Sequence, residues 1–297
     1  MDLDGETMTD GQAATLAAIY RERSFVIVDG VTTSALCALA HAEMAAENDC
    51  GRLEPSTVYS NVNSQAVSAF LPDRRSDRIQ YVDLASDAAA KAEEALVGGS
   101  RRWQAVGEAV EQMDVLVRRL RVHLPAELSD IESRTRPMVS AYEVGAKFER
   151  HCDNHCDDEE AEYDHCGEHG HCANRRRLSA VLYAVDHEWS AADGGALRLY
   201  KPTATTGGWE GDDALVDVQP RPARLVLFAS DQRVPHEVLP VTSGRAVRYA
   251  LALWFLGPPP AAEAGMPHAT PGQKASQQRG AERESATSIM EAELQFD

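Results

Sequence analysis

Between residues 138 and 256 the chain is written as short apolar runs: "MVSAYEV", "RLSAVLYAV", "GALRLY", "ALVDVQ", "ARLVLFAS" and "VRYALALWFL". Each is rich in β-branched and aromatic residues, and each is closed by Gly, Pro or Asp turns. Six short strands in so little chain predict a barrel or a double-sheet jelly roll. The first half reads differently. Residues 12–23, 33–48, 85–97 and 102–124 have helical spacing, the last with apolar positions at Val106, Val110, Met113, Val117 and Leu120. "FVIVDG" (25–30) and "RSDRIQYVDL" (75–84) read as strands at the edges of this helical half. The expected class is α+β with a mainly β core, its N-terminal helices lying against one sheet. Residues 1–257 are taken as one domain, with a helical half at 10–125 and a β core at 137–257. Residues 258–297, rich in Pro, Ala, Gln and Ser, are expected to be a flexible tail.

Charge narrows the class of function. The formal net charge is −18, from 29 basic and 47 acidic residues, which argues against a nucleic-acid or anionic-membrane partner. It suits an enzyme, including one whose protein substrate is basic. No signal-like N-terminus and no long apolar span is read, so a cytoplasmic or nuclear location is expected. In a reducing compartment, clustered cysteines are thiols or metal ligands more often than disulfides.

That cluster is "HCDNHCDDEEAEYDHCGEHGHC", residues 151–172. His151 and Asp153 are two residues apart, so in an extended segment their side chains share a face. A second imidazole from elsewhere would complete a metal set, and "VPHEVLP" offers His236, between two predicted strands. Two imidazoles and one carboxylate on one face of an octahedron leave three positions open, the arrangement of non-haem Fe(II) oxygenases. Cys152, between the two, is expected on the opposite face, away from that metal.

With these residues in place, the stretch 138–256 resembles the 2-oxoglutarate- and Fe(II)-dependent dioxygenases, in their prolyl 4-hydroxylase-like branch. The resemblance rests on landmarks kept in order: "YEVGAKFERHCDN", "RRRLSAVLYAVDHEW", "DGGALRLY", "VQPRPARLVLFASD", "VPHEVLPV" and "RYALALWF". Upstream, "SFVIVDGV" and "RSDRIQYVD" extend it. It implies a double-stranded β-helix (jelly roll) buttressed by helices. It further implies Fe(2+) bound by His151, Asp153 and His236, with 2-oxoglutarate and O2 as co-substrates and ascorbate as an accessory reductant. The implied reaction is hydroxylation coupled to decarboxylation of 2-oxoglutarate to succinate and CO2, on a proline at C4 of a protein or peptide. A forked guanidinium suits the distal carboxylate of 2-oxoglutarate. Arg248, which opens the strand "RYALALWF", is assigned to it over Arg245, whose odd offset would face it the other way. Tyr183 matches the tyrosine that bonds the same carboxylate, and Tyr142 a second tyrosine of that pocket. Trp189, Trp254 and Phe255 are read as packing.

Against the family pattern, residues 154–175 are an insert, with Cys156, Cys166 and Cys172 within reach of Cys152. Three readings of it stand: a structural Zn(2+) site, a flexible acidic lid, or redox-switchable disulfides. The acids of 157–164 would attract a basic peptide. Substrate selectivity is expected in loops at 52–75 and 154–175. Two further functions stay open: the same chemistry on a free amino acid or small molecule, and a non-catalytic, zinc-stabilised interaction module. Cys37 and Cys50 are expected to be buried apolar residues.

Overall fold

The computed structural model describes residues 1–3, 5, 8–62, 65–84, 102–128, 130–154, 175–185, 189–202, 214–244 and 247–257. They fall within one compact unit, Met1–Pro259. In chain order the elements begin with α1 (Asp10–Arg23), β1 (Phe25–Val28), α2 (Ser34–Asp49), β2 (Glu54–Pro55), β3 (Val58–Val62), β4 (Gln65–Ala69), β5 (Arg78–Tyr81), α3 (Gln104–His123) and the short α4 (Pro125–Leu128). The β half follows with β6 (Ser133–Arg134), β7 (Met138–Tyr142), β8 (Phe148–His151), β9 (Arg176–Tyr183), β10 (Leu197–Tyr200), β11 (Ala214–Val218), β12 (Leu225–Ala229), β13 (His236–Val238) and β14 (Arg248–Leu256). The expected helix 85–97, the insert and the C-terminal tail lie outside the described residues.

Two antiparallel sheets make the sandwich. The larger runs β1-β12-β9-β14-β7-β5-β2, with β6 also on β14; the smaller runs β11-β10-β13-β8. The N-terminal strands close both edges of the large sheet, β1 on one side and β5 with β2 on the other. This is the double-stranded β-helix expected from the sequence, with helices on one face.

The central strand β14 shows how the sequence builds both faces. Its alternate residues Tyr249, Leu251, Leu253 and Phe255 enter the core shared with the helices. Ala250 faces the small sheet, and Ala252 and Trp254 join a separate apolar cluster. A strand covered on both faces reads as a continuous apolar run, and here the bulk goes to the helix side. Two alanines on the inner side leave room for a site.

The helices are held by their apolar stripes. All five expected positions of α3 (Val106, Val110, Met113, Val117 and Leu120) are buried, each contributing about 1.5–3 kcal/mol. Nothing local caps α3, since Trp103 makes no side-chain cap bond. Glu43 of α2 does so from a distance, accepting from the backbone N–H of Ala105 at 2.9 Å and Val106 at 3.0 Å. This satisfies two of the four free N–H groups at the helix start.

Three expectations change. Residues 52–75, read as loop, contain β2 and the paired hairpin β3–β4. His236, expected between two strands, itself begins the short strand β13, while His151 ends β8 in the extended backbone expected for it. Cys37 is buried, but Cys50 is exposed. It sits at the C-cap of α2, where the last turn leaves the core. Among the described residues no helix is long and apolar enough to cross a membrane.

Candidate metal centre and the pocket beside it

Strands β8 and β13 are hydrogen-bonded neighbours, and their register sets His151 directly opposite His236. Residues opposed across an antiparallel pair have their side chains side by side, and the two rings lie 4.3 Å apart, centre to centre. Asp153 follows two residues after His151 and points at both. Its Oδ1 is 3.6 Å from His151 Nε2, and its Oδ2 is 3.7 Å from His236 Nε2. One donor atom from each residue lies within 4.8 Å of the others. Among the described residues this is the one such group of three.

Each imidazole is oriented by a backbone carbonyl. His151 Nδ1 donates to the carbonyl of Glu149 at 2.8 Å, and His236 Nδ1 to that of Val234 at 3.1 Å. With Nδ1 holding the proton, Nε2 is left as the lone-pair donor. Phe148 stacks on His151 at 3.6 Å, and Phe228 meets His236 at 4.6 Å. The Arg75 guanidinium lies over the far face of the stack, 4.4 Å from the Phe148 centroid. It is held in turn by Asp77 at 2.7 Å.

Asp153 is fixed by a buried hydroxyl. Ser179 Oγ donates to its Oδ2 at 2.6 Å and shares a 2.9 Å bond with Ser230 Oγ. Burial alone would raise the Asp153 carboxyl; His236, His151 and Arg176 outweigh it and hold it well below the usual carboxylate range. Burial, then the nearby His151, pushes His236 down to about 4. At neutral pH the pair is therefore an ionised carboxylate beside a neutral imidazole. That donor set, with hard oxygen and borderline nitrogen, fits a ferrous ion. Cys152 is buried and stands outside the group.

The second part of the site lies at the start of β14. Arg248 is 1% exposed, the largest fully buried side chain among the described residues. It pairs directly with Tyr142 across β7, and its guanidinium carbon is 4.7 Å from the Tyr142 ring centroid and 4.9 Å from that of Tyr183. Arg248 Nε and Tyr183 Oη are both buried without a hydrogen-bond partner. A buried guanidinium whose Nε has no acceptor, beside a buried phenol, is costly unless something anionic meets them. Burial raises the Tyr183 hydroxyl, against the opposing charge of Arg248, so the phenol keeps its proton to donate. Burial, then Asp77, raises Tyr142 as well. The pocket thus offers what a distal carboxylate requires, and 2-oxoglutarate fits it. Arg245, Cys156, Cys166 and Cys172 lie outside the described residues.

Several residues here escaped the sequence reading. Ser179 lies on β9 with Val181 and Tyr183 at the period-2 spacing of one face, a signal open to inspection. Arg176 was not readable: the register of β9 on β14 slips by one residue near Arg177. Arg176 then lies 3.9 Å over the Trp254 ring and 3.9 Å from Asp153. Beside it, Met138, Ala252 and Trp254, with Ile79, Val181 and Leu256, form a small apolar cluster.

Comparison with known proteins agrees with this geometry. Residues 137–256 match the family model described as 2OG-Fe(II) oxygenase superfamily. The chain is 34% identical over 128 residues to the hypoxia-inducible factor prolyl hydroxylase of Caenorhabditis elegans, covering 43% of this chain and 14% of that protein. A crystal structure of a Pseudomonas putida prolyl-4-hydroxylase is similar at 25% identity and TM-score 0.56, over 83% of this chain and all of the other. A Trichoplax adhaerens prolyl hydroxylase, in complex with a hypoxia inducible factor peptide fragment, shares the fold at 22% identity and TM-score 0.59, over 84% of this chain and 90% of that one. The chain spans about half or less of the length of the curated relatives it matches.

Proposed function

We propose that the chain, whose residues 137–256 match the 2OG-Fe(II) oxygenase superfamily, is a prolyl hydroxylase-like member of it and hydroxylates proline, at C4, in a protein or peptide. The observation that carries the proposal is the pairing of two features in one sandwich: a carboxylate and two imidazoles converging within 4.8 Å, and a buried arginine and tyrosine with unmet hydrogen bonds nearby.

His151, Asp153 and His236 would hold Fe(II) through Nε2, a carboxylate oxygen and Nε2. Arg248 and Tyr183 would take the distal carboxylate of 2-oxoglutarate, with the Tyr142 ring against the guanidinium. When bound, iron, 2-oxoglutarate and O2 supply the oxidative decarboxylation and the hydroxylation of a C–H bond. The protein's share is orientation and the exclusion of water. No side chain is needed as general base. The phenylalanines against both imidazoles keep the ligands in place and the centre dry.

The buried apolar cluster of Met138, Ala252 and Trp254 adjoins Asp153 through Arg176, which lies over Trp254. A peptide substrate agrees with what the relatives are called. Preference for a basic peptide rests on the acids of 157–164, outside the described residues; neutralising them should weaken peptide binding and its salt dependence.

The test is direct. Purified protein with Fe(II), ascorbate and 2-oxoglutarate is offered proline-containing peptides, free proline and other small molecules. Succinate formation coupled to a mass gain of one oxygen atom on a peptide proline is expected. Coupled oxidation of free proline alone would move the substrate to a small molecule. No succinate with any of them would leave a binding module.

A further inference from the structure

The approach of the chain to the buried guanidinium is made by two consecutive glycines. Gly194 has φ +72° and Gly195 φ +68°, a region that side chains disfavour. Both are tied down. Gly195 N–H donates to the carbonyl of Pro240 at 3.0 Å, and the Trp189 indole N–H donates to that of Gly194 at 3.2 Å. The space above Gly195 is already filled: a Cβ there would lie 2.9 Å from Arg248 Cδ, 3.1 Å from Val241 Cγ2 and 3.3 Å from Trp189 Cζ2. The first of these is closer than side-chain carbons normally come. Arg248 cannot yield freely, because it is 1% exposed and its head is set against the rings of Tyr142 and Tyr183.

We infer that Gly195 is a specificity-determining position: by having no side chain it seats Arg248 at the depth that selects a 2-oxo acid with a second, distal carboxylate. The inference rests on the proposed reading of Arg248 as the anchor of that carboxylate. Its logic is one of length. The keto-acid end would be pinned at the metal, so the far carboxylate falls at a fixed distance along the chain. Charge-assisted bonds from a guanidinium depend on distance and direction. A displaced Arg248 could not be followed by a ligand held at its other end.

The experiment compares two ligands by anaerobic calorimetry on the Mn(II)-loaded protein: 2-oxoglutarate, and 2-oxopentanoate, which has the same carbon chain without the distal carboxylate. Wild type should prefer 2-oxoglutarate by about tenfold or more, the worth of a hydrogen bond to a charged group. In Gly195→Ala that preference should shrink by about tenfold, with 2-oxopentanoate affinity nearly unchanged. An unchanged preference, or an equal loss for both ligands, would overturn the inference. Should Gly195→Ala not fold, Trp189→Phe leaves the glycine backbone intact and removes the indole bond to Gly194 together with the ring edge that lies over Gly195. A smaller narrowing is expected there, and an unaltered ratio counts against the glycine pair. A wild type without preference overturns the anchor role of Arg248 itself, and this inference with it; a discriminating wild type with a discriminating variant overturns the inference alone.

Discussion

His236, on the small sheet, and Arg248, on the large one, are both buried nitrogen-bearing side chains, 4% and 1% exposed, yet they are provided for differently. His236 has a backbone carbonyl on Nδ1, an aromatic ring beside it and Asp153 in front. Arg248 has two aromatic rings and an Nε with no acceptor. The metal end is organised by hydrogen bonds, from both imidazoles to backbone carbonyls and from Ser179 to Asp153. The anchor end is organised mainly by two aromatic rings against the guanidinium and leaves its Nε without an acceptor. A site of the first kind is found by looking for groups that converge, and one of the second kind by looking for buried groups that lack a partner.

Removing a donor should break the metal end outright. For His236→Ala, succinate formation is expected to fall on the order of a hundredfold or more, with loss of tight Fe(II) binding in equilibrium dialysis. Retention of full metal affinity would show that these three residues are not the site. Arg248→Met should act in the opposite sense on the free protein. With the unmet charge gone and the stem volume kept, the ligand-free variant should be no less stable to urea than wild type. Its affinity for 2-oxoglutarate should drop by about a hundredfold, and the rise in melting temperature on adding that ligand should vanish. A variant that is clearly less stable without ligand would mean that Arg248 is a structural residue.

The two ends also differed in how far they could be read from the sequence. The long apolar strands β7, β9, β12 and β14 were legible because both faces are covered and, after the arginines that open β9 and β14, their residues are apolar, aromatic or small. The strands that carry the imidazoles were not, since β8 is four residues and β13 three, too short for any periodicity. His151, Asp153 and His236 were found through ligand chemistry and family likeness instead. Cross-strand register, which sets His151 opposite His236, is a property of pairing and is invisible in either segment alone. The same holds for Glu43 capping α3 and for the bulge that carries Arg176 to Trp254. The hairpin β3–β4 was missed because residues 52–75 mix strand formers with Asn, Ser and Pro. Arg248 was chosen over Arg245 by strand parity, and the structure seats it at the first position of β14.

A smaller effect separates orientation from ligation. Ser179→Ala removes the 2.6 Å hydroxyl bond to Asp153 Oδ2 and leaves every proposed ligand in place. Loss of a partner that orients a metal ligand costs 10–100-fold in affinity, and about tenfold is expected here. Ser179→Thr, which keeps the hydroxyl, should recover most of it. Equal metal affinity in Ser179→Ala and wild type would mean that the two imidazoles alone orient Asp153.

The smallest effect at neutral pH is on stability, and its dependence on acid sharpens the contrast between His236 and Arg248. Burial lowers His236 from 6.5 to about 4 in the fold. Above pH 6.5 both folded and unfolded chains hold the ring neutral, and the fold has its full stability. As pH falls from 6.5 toward 4, the unfolded chain takes up a proton that the folded ring refuses, and stability is lost through that window. The Asp153 carboxyl, held well below its ordinary 3.8, loses its own contribution only in more acid solution. Urea midpoints of the metal-free protein between pH 7.5 and 4.5 should therefore fall more steeply for wild type than for His236→Leu. Arg248→Met should keep the wild-type slope, because a guanidinium does not titrate in this range. If His236→Leu and wild type ran parallel, His236 would be taking up its proton in the fold as readily as in the unfolded chain, and the neutral-imidazole donor set would have to be given up.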